Sequence, residues 1–189
     1  MKKFAVAAVV LGMLLSFSVL LMAQEKAAEP EKITHKYIGS VKCKVCHNSA
    51  AKGEQFKKWS ESKHSKAFEV LGTPEAAEVA KAAGVEKPQE SEKCLICHVT
   101  GFSAPASAKE ATFAQTEGVG CETCHGPGSD YKDMKVMKDR AAAIAGGMLV
   151  PDEKTCLGCH NEKSPTYKEF KYADAVKTIA HPNPAKAAK

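Results

Sequence analysis

The sequence is nearly without arginine: Arg140 is the exception among 27 basic residues. Arginine is the residue that reads phosphate and base edges with a planar fork, so a nucleic-acid role has no support. No cysteine lies near Ala23, which removes a lipid-anchored form of export. No cysteine is spare either, because all eight fall in four Cys-x-x-Cys-His units. Those units recur without a fixed period, which excludes a solenoid. Polypeptide itself is scarce. Removing a leader at Ala23 leaves about 166 residues, or about 41 per unit, too few for an ordinary apolar core around each.

The four units are Cys43-Lys44-Val45-Cys46-His47, Cys94-Leu95-Ile96-Cys97-His98, Cys121-Glu122-Thr123-Cys124-His125 and Cys156-Leu157-Gly158-Cys159-His160. Paired cysteines alone also fit zinc sites, redox dithiols or disulfides. The histidine after every pair separates these readings, since a given position is histidine by chance about once in 27. Each unit reads as a c-type heme site, in which two thiols form thioethers to the porphyrin and the imidazole takes one axial position of the iron. The covalent heme residues are therefore Cys43, Cys46, Cys94, Cys97, Cys121, Cys124, Cys156 and Cys159. The proximal ligands are His47, His98, His125 and His160. With four heme c groups and so little chain, the cofactors are the core, and the mature chain without them is largely unfolded. The glycines of Gly118-Val119-Gly120 and Gly126-Pro127-Gly128 are expected to let backbone approach the flat ligand.

Met1 to Ala23 reads as a secretory signal peptide, with Lys2 and Lys3 before an apolar run from Phe4 to Met22. The rival is an uncleaved membrane anchor, since about 19 apolar residues just span a bilayer. Residues 24–36 are a polar linker and an extended segment, 37–182 form the tetraheme domain, and 183–189 are a disordered tail. The expected fold is mainly α, a compact irregular multiheme cytochrome c fold with short helices wrapped around four hemes. Spacing predicts one helix over about 53–71, with Phe56, Ser60, His64, Ala67 and Leu71 on one face. A second runs from Pro74 to Gly84 and a third over about 130–146 with Tyr131, Met134, Met137, Ala141 and Ile144 on its edge. Short helices follow at Pro151 and over 172–180, and 103–118 reads as a surface loop.

An eighth non-cysteine ligand is missing. Four irons offer eight axial positions, the motif histidines fill four, and only His35, His64 and His181 remain. Any one alone is ordinarily a surface or cap histidine. Their positions make all three distal candidates: one precedes the first motif, one lies on an inward helix face, one follows the last helix. One iron is left five-coordinate, bound by Met134, Met137 or Met148, or completed by another molecule.

Tyr37-Ile38-Gly39, Trp59-Ser60 with His64-Ser65-Lys66-Ala67, Cys97-His98-Val99-Thr100-Gly101-Phe102, and Gly118 to Gly128 together resemble the tetraheme cytochrome c-554 family over about Tyr37 to His181. The resemblance implies a mostly helical protein with closely stacked heme pairs, three bis-histidine irons and one high-spin iron, carrying electrons from hydroxylamine oxidoreductase in ammonia oxidisers. By this likeness His64 and His181 match distal ligands, and the heme at His98 is the open one. The family has a further distal histidine shortly after the Gly-Pro-Gly turn. Ser129 to Arg140 contains none, so His35, which has no family counterpart, is the substitute.

Without its leader the chain carries about +3, and four ferric hemes at about −1 each bring it near −1. Its lysines suit propionate pairing and docking to redox partner proteins, or are simply a solvated face. The expected role is a periplasmic electron carrier. The alternatives are a reductase of nitrite, nitric oxide or hydroxylamine at one open iron, and a self-associating filament subunit that borrows its eighth ligand from a neighbour. Membrane contact is expected only if the leader is uncleaved.

Overall fold

The computed structural model describes residues 35–184; the leader, most of the linker and residues 185–189 lie outside them. The described residues are mainly α, with no strand beyond an isolated bridge of Tyr37 to Lys109. Helix α1 (Ser40–His47) packs on α2 (Gln55–Ser60) and on α6 (Cys121–His125), and α3 (Ala67–Val70) packs on α5 (Glu92–His98). The remaining helices are α4 (Pro74–Ala82), α7 (Met134–Lys138), α8 (Arg140–Ala145), α9 (Glu153–Leu157) and α10 (Tyr172–Ile179). No described helix is long and apolar enough to cross a membrane.

Helix α4 starts and stops where local chemistry dictates. The Thr73 hydroxyl accepts from Ala76 N at 3.2 Å, Pro74 supplies a preset φ without a wasted donor, and Gly84 turns left-handed at φ 68°. Helix α9 is set by a reciprocal cap between Asp152 and Thr155. Neither needs tertiary help to be read from sequence.

Two expected long helices are divided. The helix expected over 53–71 breaks after Ser60, because the Ser65 hydroxyl donates to Ser60 O at 3.0 Å and Ser62 O at 2.9 Å. The His64 carbonyl is used by Val119 N at 2.9 Å as well as by Ala67 N, so His64 sits in a turn and not on a helix face. The helix expected over 130–146 divides at Asp139, which ends α7 in extended backbone and caps α8 by accepting from Ala141 N and Ala142 N. Of its expected edge residues Met134 is 60% exposed, so packing does not explain it. The stretch over 103–118 is helix-free apart from two short 3₁₀ turns, but it is not wholly a surface loop. Ala108 is buried, and Tyr37 N donates to Ala108 O while Glu110 N donates to Tyr37 O, both at 2.8 Å. At the other end, Pro182 and Pro184 close against Gly53.

The apolar core is small. Leu71, Leu95 and Val99 form one cluster with Phe68, Cys94 and Phe102 against it. Val45, Ile96 and Leu157, each between the cysteines of a motif, remain 82%, 53% and 41% exposed. Side chains of this size contribute about 2 kcal/mol each when buried, so leaving them out forfeits much of the stability that the protein alone can supply.

Candidate functional site

A Cys-x-x-Cys-His run on a helix puts both thiols and the imidazole on one face, because residues three and four apart are helix neighbours. The first three units lie in α1, α5 and α6, whereas the fourth begins in α9 and ends just past it. All eight cysteines are free and half-buried. Among the described residues no group of three or more His, Cys, Asp or Glu side chains is placed to hold a lone metal ion.

The thiols also report how the units adjoin. Cys43 and Cys121 hydrogen-bond to each other, which pushes the Cys43 thiol up, with burial adding to it, and draws Cys121 down. Burial raises Cys124, with Cys156 next to it. Burial also pushes Cys159 up to about 12, with Cys97 as its first neighbour. By these thiol neighbours the motifs run first, third, fourth, second, and Thr100, just past the second, also meets Thr123 of the third at 2.8 Å.

Two of the three free histidines face motif histidines. The ring centroids of His64 and His160 are 6.1 Å apart, and those of His125 and His181 are 6.0 Å apart. Two metal–nitrogen bonds of about 2 Å and two half-rings of about 1 Å sum to about 6 Å, so one iron fits between each pair. Burial lowers the pKa of His64, His125 and His47, keeping each imidazole neutral with a lone pair to donate. Phe170 stacks on His160 at 4.7 Å, and His181 is oriented through Nδ1 by Ile179 O at 2.8 Å. His98 is likewise fixed through Nδ1 by Ala67 O at 2.6 Å, and no free histidine meets its ring.

His35 has different neighbours. Its Nδ1 lies 2.8 Å from Asp130 Oδ2, and its ring packs on the Gly147 backbone. The adjoining backbone is tied to the residue before Asp130: Lys36 N donates to Ser129 Oγ at 2.8 Å and Ser129 N to Lys36 O at 3.1 Å. The Ser129 hydroxyl, then His35, hold the Asp130 carboxyl below the ordinary carboxylate range.

Sequence reasoning missed the polar web that joins the first and third motifs. Glu122, 2% exposed, accepts from Ile38 N (2.9 and 3.1 Å), Gly39 N (2.8 Å) and Gly128 N (2.7 Å). Burial pushes its carboxyl up while these donors pull it back. Glu117 accepts from Ser40 N and Ser40 Oγ, and Ser40 Oγ accepts in turn from Cys121 N at 3.1 Å. Thr100 Oγ1 accepts from Gly120 N at 2.7 Å, and the Tyr131 hydroxyl donates to His125 O and Gly126 O at 3.0 and 2.8 Å. The available signal was an acidic residue between two heme-binding cysteines. Glu122→Gln places an amide donor where a carboxylate oxygen meets backbone donors, so it lowers stability by about 2 kcal/mol. Denaturant unfolding measures this, and heme content stays at the wild-type level.

Two of the motif glycines are required by the protein backbone itself. At Gly118, φ 75°, a Cβ would lie 2.7 Å from His64 O; at Gly126, φ 77°, it would run into Gly147 O. These two positions need glycine both for the left-handed backbone and for the close approach of a second chain segment.

A family model for cytochrome c554 and c-prime matches residues 42–126. Cytochrome c-554 of Nitrosomonas europaea is 34% identical over 137 residues, which cover 65% of this chain and 56% of that protein. The chain thus spans little more than half the length of this relative. No solved structure matches. Three of the four Cys-x-x-Cys-His units fall inside the matched stretch, and over that stretch the chain is similar to the cytochrome c-554 family.

Proposed function

We propose that this chain is an exported, periplasmic electron carrier holding four covalent heme c groups on the eight motif cysteines, with His47, His98, His125 and His160 as proximal ligands. The observation that carries the reading is the pairing of His64 with His160 and of His125 with His181 at the span of one coordinated metal. When bound, each heme supplies a one-electron ferric/ferrous couple. The chain's own contribution is to fill axial positions with neutral, oriented imidazoles, which leaves no room for a substrate at those irons. The contact order of the thiols supports an unbroken series of centres, first to third to fourth to second. His35 is the distal ligand of the first iron, because its segment leads into α1 and is tied beside the third motif, which adjoins the first.

This assignment leaves the His98 iron without a histidine. A reductase of small nitrogen compounds is the second reading, favoured by a proximal imidazole held firmly by Ala67 O with no histidine opposite. Intact mass is expected to give four hemes on a chain beginning near Gln24. Electron paramagnetic resonance of the ferric protein then counts three low-spin irons and one high-spin iron, and carbon monoxide binds one ferrous heme. A count of four low-spin irons in monomer overturns the open site, and Met134→Ala, Met137→Ala and Met148→Ala identify a methionine ligand. Turnover of nitrite, nitric oxide or hydroxylamine with a chemical reductant favours the reductase. A high-spin iron that appears only on dissociation of oligomers favours the filament subunit.

A further inference from the structure

Histidine ligands differ in how electron-rich they are, and the group that accepts from the ring nitrogen facing away from the metal sets the difference. His98 and His181 give Nδ1 to backbone carbonyls, Ala67 O and Ile179 O. His35 instead meets a carboxylate, Asp130 Oδ2, at 2.8 Å. That carboxylate is itself fixed, since Ser129 Oγ donates to Asp130 Oδ1 at 2.7 Å and Ser129 is bonded both ways to Lys36. The ring cannot swing away easily, because it packs on Gly147, where even a Cβ would come within 2.8 Å of it. With Nδ1 engaged, Nε2 is the nitrogen left for a metal.

We infer that Asp130 is a positioning residue that fixes His35 with Nε2 toward the first iron and makes it a more electron-donating ligand than the carbonyl-held His98 and His181, lowering that iron's potential. This rests on the proposed ligation of the first iron by His35. A carboxylate acceptor draws the Nδ1 proton and leaves more charge on Nε2, and a more basic ligand favours ferric over ferrous iron. Asp130 is 48% exposed, so water screens the pair and the effect belongs at the low end of the tenfold to hundredfold range for such outer partners. Asp130 lies on the segment following the Gly-Pro-Gly turn, and His35 on the segment before the first motif. The two halves of the device thus come from either side of the first three motifs.

The test compares the wild type with His35→Ala, Asp130→Asn, Asp130→Glu and Asp133→Asn, each carrying all four hemes, by redox titration and electron paramagnetic resonance. His35→Ala is expected to convert one low-spin iron to high-spin. Asp130→Asn is expected to keep the low-spin count, alter the g values of one signal, and raise one midpoint potential by a tenfold change in the reduction equilibrium, which is about 59 mV for one electron. Asp130→Glu restores most of the shift. Asp133→Asn removes a nearby charge without touching His35 and moves no potential as far. If His35→Ala leaves the spin count unchanged, the ligation itself is wrong. If His35→Ala changes it while Asp130→Asn moves no potential, or no further than Asp133→Asn, His35 is a ligand and Asp130 does not tune it.

Discussion

Replacing Cys121 and Cys124 together by alanine is expected to abolish folding, not to yield a soluble three-heme protein. The third motif is where the chain crosses itself. Glu122 between the two cysteines holds Ile38, Gly39 and Gly128, Cys121 N donates to Ser40, and Tyr131 closes on His125 and Gly126. Among the described residues the apolar core beyond it is one cluster of three buried side chains with scattered single residues. At about 2 kcal/mol per buried side chain, this is far below the conformational entropy lost in ordering a chain of this length. The measurement is the yield of soluble, protease-resistant protein together with its heme content. A stable product with three hemes would refute the view that the cofactors complete the core.

His64→Ala and His181→Ala are each expected to turn one low-spin iron high-spin while four hemes remain attached, because thioether formation does not use the distal ligand. The centroid spans of 6.1 and 6.0 Å predict which irons respond: the His160 iron to His64, and the His125 iron to His181. Each variant opens one further position to carbon monoxide in the ferrous state. The double variant is expected to open two, since the two histidine pairs are separate and their effects add. An unchanged spin count in either single variant makes that histidine a packing residue.

The motif cysteines and histidines were legible because their chemistry is local: five consecutive residues carry two thiols and an imidazole. Helix α4 was legible for the same reason, with Thr73, Pro74 and Gly84 marking both ends. What was not legible depends on partners distant in sequence. The break at Ser60 to Lys66 is invisible to helical periodicity, since Ser60, His64 and Ala67 keep the spacing. It follows from Ser65 bonding back to Ser60 and Ser62 and from Val119 N claiming the His64 carbonyl. Glu122 likewise reads as a charged surface residue until Ile38, 84 positions earlier, is brought against it. His35 was legible as one of three spare histidines, but its carboxylate partner was not, because Asp130 is 95 positions away.

The contact order of the motifs, first to third to fourth to second, has a consequence for how the molecule can be divided. A cut between the first and second motifs, anywhere in the stretch from Asn48 to Lys93, severs no motif yet parts the pieces from each other's contacts. The first motif would part from the third, against which Cys43 rests. A cut after the second would strand Cys97 from Cys159. The third and fourth motifs are consecutive units that also touch, and severing their junction isolates the fourth from Cys124. Fragments of this chain are therefore expected to lose, at each cut, the neighbour against which at least one motif rests.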